Sequence, residues 1–196
     1  MAGSKRSHNQ IRIIGGDWRG RKISFSDAQG LRPTPDRVRE TLFNWLQGYL
    51  PGAACLDLFA GSGVLGFEAL SRGASTVIAV EKNPQVFNSL KQNSDALNAA
   101  DRLQLRNADA LQVIEALAPY SLDLVFIDPP YGKGMVAKCL QQLANGSSLK
   151  PGALIYVEQE SQMESPDLPE NWVILKDKQA SQVSCYLVRA NARDDL

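Results

Sequence analysis

From Ala54 to Glu158, short apolar runs alternate with longer stretches whose apolar residues recur every three or four positions. The runs Cys55–Leu58, Thr76–Glu81, Leu122–Ile127 and Leu154–Glu158 have the length and near-continuous apolar character of strands buried on both faces, and Leu103–Arg106 adds an alternating one. Between them, helices are predicted from near Ser62 to Ser71, Pro84 to Asn98, Ala110 to Leu117 and about Gly134 to Leu143. Pro84 suits a first helical turn, where its missing N–H has no partner to lose. Strands and helices in strict alternation predict a mostly parallel sheet with helices on both faces. Two further β-rich runs, Trp172–Lys176 and Gln182–Val188, follow one another without a helix. They predict an antiparallel hairpin at the sheet edge and bring the strand total to seven.

Upstream the pattern changes. Residues 1–10 are polar and are expected to form a disordered tail. Ile11 to Phe25 reads as a β-hairpin turning at Gly15-Gly16, with its arginines on outer positions. Leu31-Arg32-Pro33-Thr34-Pro35 is an extended segment, because proline disfavours helix in the residue before it. Asp36 then caps a helix reaching to about Gly48, with Val38, Leu42, Trp45 and Leu46 as its buried stripe and Arg37 and Arg39 outside it. The chain thus divides into a tail over 1–10, an N-terminal extension over 11–50 and an α/β body over 51–190.

At 196 residues, with 44% hydrophobic and 21% charged content, the composition is that of a globular domain. No apolar run reaches the roughly 18 residues of a membrane span, and the first residues lack the apolar segment of a secretory signal. Three cysteines, Cys55, Cys139 and Cys185, are dispersed through apolar patterns. They read as buried thiols of a reducing cytoplasm rather than a disulfide framework. A single histidine, His8, leaves no basis for a zinc site or a Ser-His-Asp triad, so no metal is expected. Charge does alter the picture. The net charge is zero, yet residues 1–40 carry nine Lys/Arg against four acids. A basic arm on an acidic body points to a polyanionic partner met locally. Trp18 among Arg12, Arg19, Arg21 and Lys22 suits stacking on bases and gripping phosphates; packing of Trp18 against the body is the competing reading.

The candidate chemistry gathers at the carboxyl ends of the body strands, where an open α/β sheet binds ligands. After Asp57-Leu58-Phe59-Ala60 comes the turn Gly61-Ser62-Gly63, and Gly66 completes a G-x-G-x-x-G pattern. Asp57, inside the strand, would repel a pyrophosphate but suits an ammonium group. The ligand expected is therefore a cationic adenosine compound, S-adenosylmethionine, rather than a nicotinamide dinucleotide. Glu81 follows Gly61 by 20 residues, the separation expected of an acid that accepts ribose hydroxyls. Asp109 is a candidate acceptor for the adenine amine, with Phe59 and Asn83 enclosing the adenosine. Their neighbours Ala60, Ser62, Lys82 and Ala110 line the same strand ends.

The sharpest feature is Asp128-Pro129-Pro130-Tyr131. Two prolines make a rigid extended turn and leave the Pro129 carbonyl without a local N–H partner. That carbonyl and the Asp128 carboxylate can both accept from one exocyclic NH2 group. Drawing its hydrogens out of plane frees the nitrogen lone pair for attack on a methyl group, and Tyr131 can stack on the base.

Taken together, D-L-F-A-G-S-G-x-L-G-x-E-A-L, V-x-x-V-E, D-P-P-Y, G-G-x-W-R-G-R-K and L-R-P-T-x-D-R-V-R-E-T-L-F-N-W-L resemble the RsmD family over about Ile11 to Val188. The first and third motifs are shared by many amino-methyltransferases; the Arg32–Leu46 segment is the specific one. The resemblance implies a class I S-adenosylmethionine-dependent methyltransferase fold, Rossmann-like, with a small N-terminal hairpin. It implies transfer to the N2 amine of a guanine in small-subunit (16S) ribosomal RNA, within a partly assembled 30S particle containing ribosomal proteins. It also implies Thr34, Arg37 and Arg39 near the cofactor pocket mouth or target nucleotide, and RNA contact by Arg12–Lys22 and Arg32. A cytoplasmic monomer is expected. Only the resemblance selects guanine over adenine. Other readings are a nicotinamide oxidoreductase, a non-catalytic RNA-binding assembly factor, and an amino-methyltransferase of other RNA, DNA or protein glutamine.

Overall fold

The alternating pattern of the body resolves into β3 (Ala54–Asp57), α2 (Val64–Ser71), β4 (Thr76–Val80), α3 (Pro84–Leu97), β5 (Leu103–Arg106), α4 (Ala110–Glu115), β6 (Leu122–Ile127), α5 (Met135–Asn145), β7 (Leu149–Glu160), β8 (Trp172–Ala180) and β9 (Val183–Ala190). Upstream lie β1 (Asn9–Arg12), β2 (Lys22–Phe25) and α1 (Asp36–Trp45). The structure is a computed structural model and describes residues 9–25 and 36–191. The predicted tail therefore falls outside the described residues up to residue 8, while Asn9 and Gln10 are already paired in β1. The extended segment with Arg32 and Thr34 also lies outside them.

Strands β3 to β9 form one seven-stranded sheet in the order β5-β4-β3-β6-β7-β9-β8. Pairings are parallel from β5 through β7, and β9 runs antiparallel to both β7 and β8. The chain steps outward from β3 to β4 and β5, then returns to β6 on the other side of β3. Strand order reverses between β3 and β6, which opens a crevice at their carboxyl ends. One face of the sheet is covered by α1, α2, α3 and the β1–β2 hairpin; α4 and α5 cover the other.

Two strands are longer than their sequence pattern suggests. β7 begins at Leu149, ahead of Pro151-Gly152, because pairing with β6 slips between Leu122 and Leu124 and lets the Pro-Gly pair bow out. β8 runs to Ala180 because a bulge near Leu175 lets it follow β9 beyond its apolar stretch.

The hairpin differs more. Gly15-Gly16 is not a tight turn; the chain between β1 and β2 is a broad loop pressed onto the end of α2. Asp17 N donates to the Ser71 carbonyl at 2.8 Å, Trp18 N to Ser71 Oγ at 2.9 Å, and Ser71 Oγ to the Gly15 carbonyl at 2.6 Å. Gly16, at φ +72°, is so close that a β-carbon there would stand 1.8 Å from the Ser71 carbonyl oxygen. Beneath this loop Glu68, fully buried inside the mostly apolar α2, accepts from Ile14 N and Gly15 N at 2.8 Å each and from Arg72 Nε at 2.8 Å.

Candidate active site

At the crevice, β3 hands the chain to the glycine turn and β6 hands it to the proline turn. Register places Asp57 opposite Phe126, and Leu58 N donates to the Phe126 carbonyl at 3.1 Å, so the two turns leave the sheet side by side. The glycine turn is tightly packed. Gly63, at φ +83°, precedes α2, and a β-carbon on it would lie 2.3 Å from Leu90 Cδ1 and 2.5 Å from Phe67 Cε2.

Asp57 is buried, and its Oδ2 makes no hydrogen bond. Burial pushes the carboxyl up to about 7; the amides of Gly66 and Phe59 pull the other way, and Glu81 adds repulsion. The folded, cofactor-free protein therefore retains a proton that the unfolded chain releases near pH ~4. Stabilisation from this proton is full below the unfolded value and is lost as pH rises toward 7. Melting temperatures of wild type and an Asp57→Asn variant should match most closely near pH 4. By pH 8 the variant should be the more stable; a constant offset across that range would refute the assignment.

Glu81 closes its 20-residue separation from Gly61 by direct contact: its Oε2 accepts from Gly61 N at 3.1 Å. Its Oε1 accepts from Asn83 N at 2.7 Å. Asn83 caps α3, with its Oδ1 accepting from Gln85 N and Val86 N. Asp109 caps α4 through Leu111 N and pairs with Lys82 Nζ at 3.0 Å. The hydrogen bond from Lys82 is the main cause holding the Asp109 carboxyl below its usual range. Phe59 is half-buried, while Ala60, Ser62 and Ala110 are buried around these strand ends.

In the proline turn Asp128 is half-buried, Pro129 buried and Pro130 exposed, and Tyr131 is 41% exposed. Partial burial, followed by the carboxylates of Glu158, Asp128 and Glu160, raises the Tyr131 phenol to about 12. Glu160, at the end of β7, accepts from Gly132 N at 2.9 Å and ties the turn down.

Two predicted RNA contacts are corrected. Arg39 has no exposed surface: both terminal nitrogens donate to the Arg12 carbonyl at 3.1 Å, and one pairs with Asp36 at 2.7 Å. Its helix packs through Val38, Arg39, Leu42 and Phe43, so the expected stripe is rotated and Trp45 is only partly buried. Trp18 is buried too, edge-on to Phe67 with ring centroids 6.5 Å apart and with Arg102 over its ring at 5.4 Å. Packing, the competing reading, is what the structure contains. Arg12, Arg19, Arg21, Lys22 and Arg37 are exposed; Arg21 also donates to the Ala96 carbonyl.

Residues without a sequence signal complete the site. Asn93, buried on α3, donates to the carbonyls of Ser24 and Ser62 and accepts from Ser24 N, joining β2 to the glycine turn. Asn107 donates to the carbonyls of Glu81 and Lys82. Asn93 lies in the polar run Lys91–Asp95 and Asn107 next to Arg106, and neither belongs to a motif that marks it out from its polar neighbours. A cavity of about 280 Å³ lies at the opposite strand ends, lined by Tyr49, the two Pro-Gly pairs and the Asp123–Lys150 ion pair, remote from this site.

The model of the family described as conserved hypothetical protein 95 matches residues 11–189. Ribosomal RNA small subunit methyltransferase D of Escherichia coli K12 is 43% identical over 187 residues, covering 95% of this chain and 93% of the relative. Its namesake in Haemophilus influenzae is 45% identical over 182 residues, covering 91% and 93%. The chain belongs to the RsmD family. Its fold matches the Escherichia coli structure yhhF, described as a candidate methyltransferase, with a TM-score of 0.87 at 41% identity over 94% of this chain and all of that one. A Haemophilus influenzae structure, HI0767, described as a candidate methylase, gives 0.80 at 40% identity over 94% of this chain. The sheet and its antiparallel C-terminal strands are thus those of a class I methyltransferase. In this RsmD-family chain the three cysteines are buried and unbridged, and burial raises each thiol to about 12. No helix of the described residues is long and apolar enough to cross a membrane.

Proposed function

We propose that this protein transfers a methyl group from S-adenosylmethionine to the N2 amine of a guanine in small-subunit ribosomal RNA, in a partly assembled particle of the cytoplasm. The observation that carries the reading is the pairing of two turns across the β3/β6 crevice: an acid-preceded glycine turn and the Asp128–Tyr131 turn. The residues fit the cofactor, since Asp57 Oδ2 is a buried acceptor in want of a cation and Glu81 presents a carboxylate beside the glycine turn. S-adenosylmethionine supplies an electrophilic methyl group on a sulfonium.

The chain's own residues do the rest. Asp57, ionised by a cation, holds the ammonium end; Glu81 accepts ribose hydroxyls; Phe59, Asn83 and Asp109 border the adenosine. Asp128 and the Pro129 carbonyl accept from the guanine amine and aim its lone pair, while Tyr131 backs the base. Catalysis is then mainly positioning, with reacting atoms roughly 3–3.5 Å apart. The methylated nitrogen is acidic enough to pass its proton to Asp128 or water. Because Asp57 must ionise to pair, cofactor affinity should rise with pH through about 7 and level off above it. Titration calorimetry in buffers of different ionisation enthalpy should show proton release at pH 6.5; its absence would remove the ammonium role.

Exposed Arg12, Arg19 and Lys22 are proposed as the RNA-facing charges. On the resemblance alone, Thr34 and Arg37 are assigned to the mouth of the cofactor pocket or the target nucleotide, and Arg32 to RNA contact. Arg19→Ala with Lys22→Ala should raise KM for the particle at constant kcat and flatten its salt dependence by about one to two charges. An unchanged KM would place the RNA elsewhere.

The deciding experiment offers labelled S-adenosylmethionine with small subunits and with naked small-subunit RNA, both from cells lacking this protein. Label at one guanine N2, chiefly in the particle, is expected. Label on neither substrate, with cofactor still bound, would refute the rRNA target.

A further inference from the structure

We infer that Glu158 is a second recognition residue for the target base, its carboxylate accepting the N1–H of guanine while Asp128 holds the N2 amine. This rests on the guanine N2 reading above and supplies a physical reason for guanine.

In the β6–β7 register Phe126 faces Tyr156 and Ile127 faces Val157. One step further, Asp128, just past the end of β6, comes level with Glu158, which is still within β7. By the alternation of a strand, both lie on the face that carries Phe126 and Tyr156. Those two rings are in edge contact, with centroids 6.4 Å apart. Glu158 is 3% exposed, and the Tyr156 hydroxyl, itself 3.2 Å from Cys185 Sγ, donates to its Oε2 at 2.9 Å. The Tyr156 hydroxyl orients this carboxylate, a group that can accept at about four lone-pair positions. Glu160, two residues on, holds Gly132 and draws the proline turn across the end of β7. Glu158 also pairs with Cys185 of β9, so Asp128, Tyr156, Glu158 and Cys185 gather at one end of the sheet.

The groups assigned here to the base are acceptors: the Pro129 carbonyl, Asp128 and Glu158. Guanine presents adjacent donors, N1–H and N2–H2, and matches them. Adenine presents N1 as an acceptor, which would meet the Glu158 carboxylate with no proton between. A buried group built to receive a donor rejects an analogue lacking it by large factors.

The test uses small subunits assembled on RNA in which the mapped guanine is replaced by 2-aminopurine. That base keeps the reactive amine but carries N1 as an acceptor. Wild-type enzyme should methylate it roughly 100-fold less efficiently than guanine. Glu158→Gln, whose amide can donate to N1, should lose at least tenfold on guanine and narrow that preference to a few-fold, at unchanged cofactor affinity. If Glu158→Gln proves unstable, Glu158→Asp should fold with lower kcat and keep the guanine preference. Tyr156→Phe, which disturbs the support and not the acceptor, should also keep it. A wild-type preference retained by Glu158→Gln, or equal wild-type rates on the two bases, would overturn the role. Wild-type label on no guanine N2 at all would instead overturn the target reading, and this inference with it.

Discussion

Replacing Asp128 by alanine is expected to reduce methyl transfer by at least roughly 100- to 1,000-fold while S-adenosylmethionine affinity stays within about threefold of wild type. The asymmetry follows from where the residue stands. Asp128 leaves β6 on the far side of the crevice from the glycine turn, Asp57 and Glu81, which are proposed to hold the cofactor. Its proposed contact is with the amine, and that contact matters most when the lone pair leaves the ring plane. Single-turnover transfer and calorimetric binding on the same preparation separate the two effects. Asp128→Asn retains one acceptor oxygen and should fall between wild type and alanine. A tenfold loss of cofactor affinity in Asp128→Ala would reassign the residue to cofactor binding.

The second large effect is on folding. Glu68→Ala should cost about 3–5 kcal/mol, the range for breaking a buried ion pair. For a chain of this size that is a fall in Tm of roughly 6–20 °C. The side chain is fully buried and serves four donors: the amides of Ile14 and Gly15, Arg72 Nε at 2.8 Å and, more distantly, Arg39 Nη1 at 3.8 Å. Its loss strands two amides and weakens the neutralisation of an arginine with no exposed surface. Glu68→Gln keeps an acceptor but loses the charge and should be intermediate. Thermal unfolding with and without cofactor checks this, and a fall below about 2 °C would show that the cluster adds nothing net. Because α2 carries both the glycine turn and Glu68, docking of the N-terminal hairpin and order in the cofactor loop are mechanically linked. Asn93 makes the same link from α3.

How far these features were legible depends on how local their causes are. The strand–helix alternation is visible because the inner strands are apolar on both faces and most helices on one, and Leu103–Arg106 and Leu122–Ile127 have the bounds read from sequence. The glycine and proline turns are visible because each needs backbone geometry that few residues permit. Glu81 was found by counting, since a βαβ unit fixes the distance between consecutive strand ends. The N-terminal extension was read less well. By type, its cations and aromatic residue suit an RNA grip as well as packing, and it is packing that Trp18 and Arg39, both buried, serve. Charge and aromaticity do not reveal which way a side chain points when the partner is far away in the chain. Arg39 is buried because Glu68 and the Arg12 carbonyl, 29 and 27 residues away, supply its counterparts.

By itself, then, the amino-acid order determined the α/β alternation, the two turns and the acids that end the strands, because each is a local matter of periodicity, backbone restriction or spacing. Only the tertiary structure decided the reversal of strand order between β3 and β6, which makes two turns some 65 residues apart into one crevice. It also decided which charges are structural and which are offered to solvent, and it set Glu158 beside Asp128. Those outcomes depend on pairing between distant segments, where burial and desolvation are settled by the neighbours that arrive and not by the residue alone.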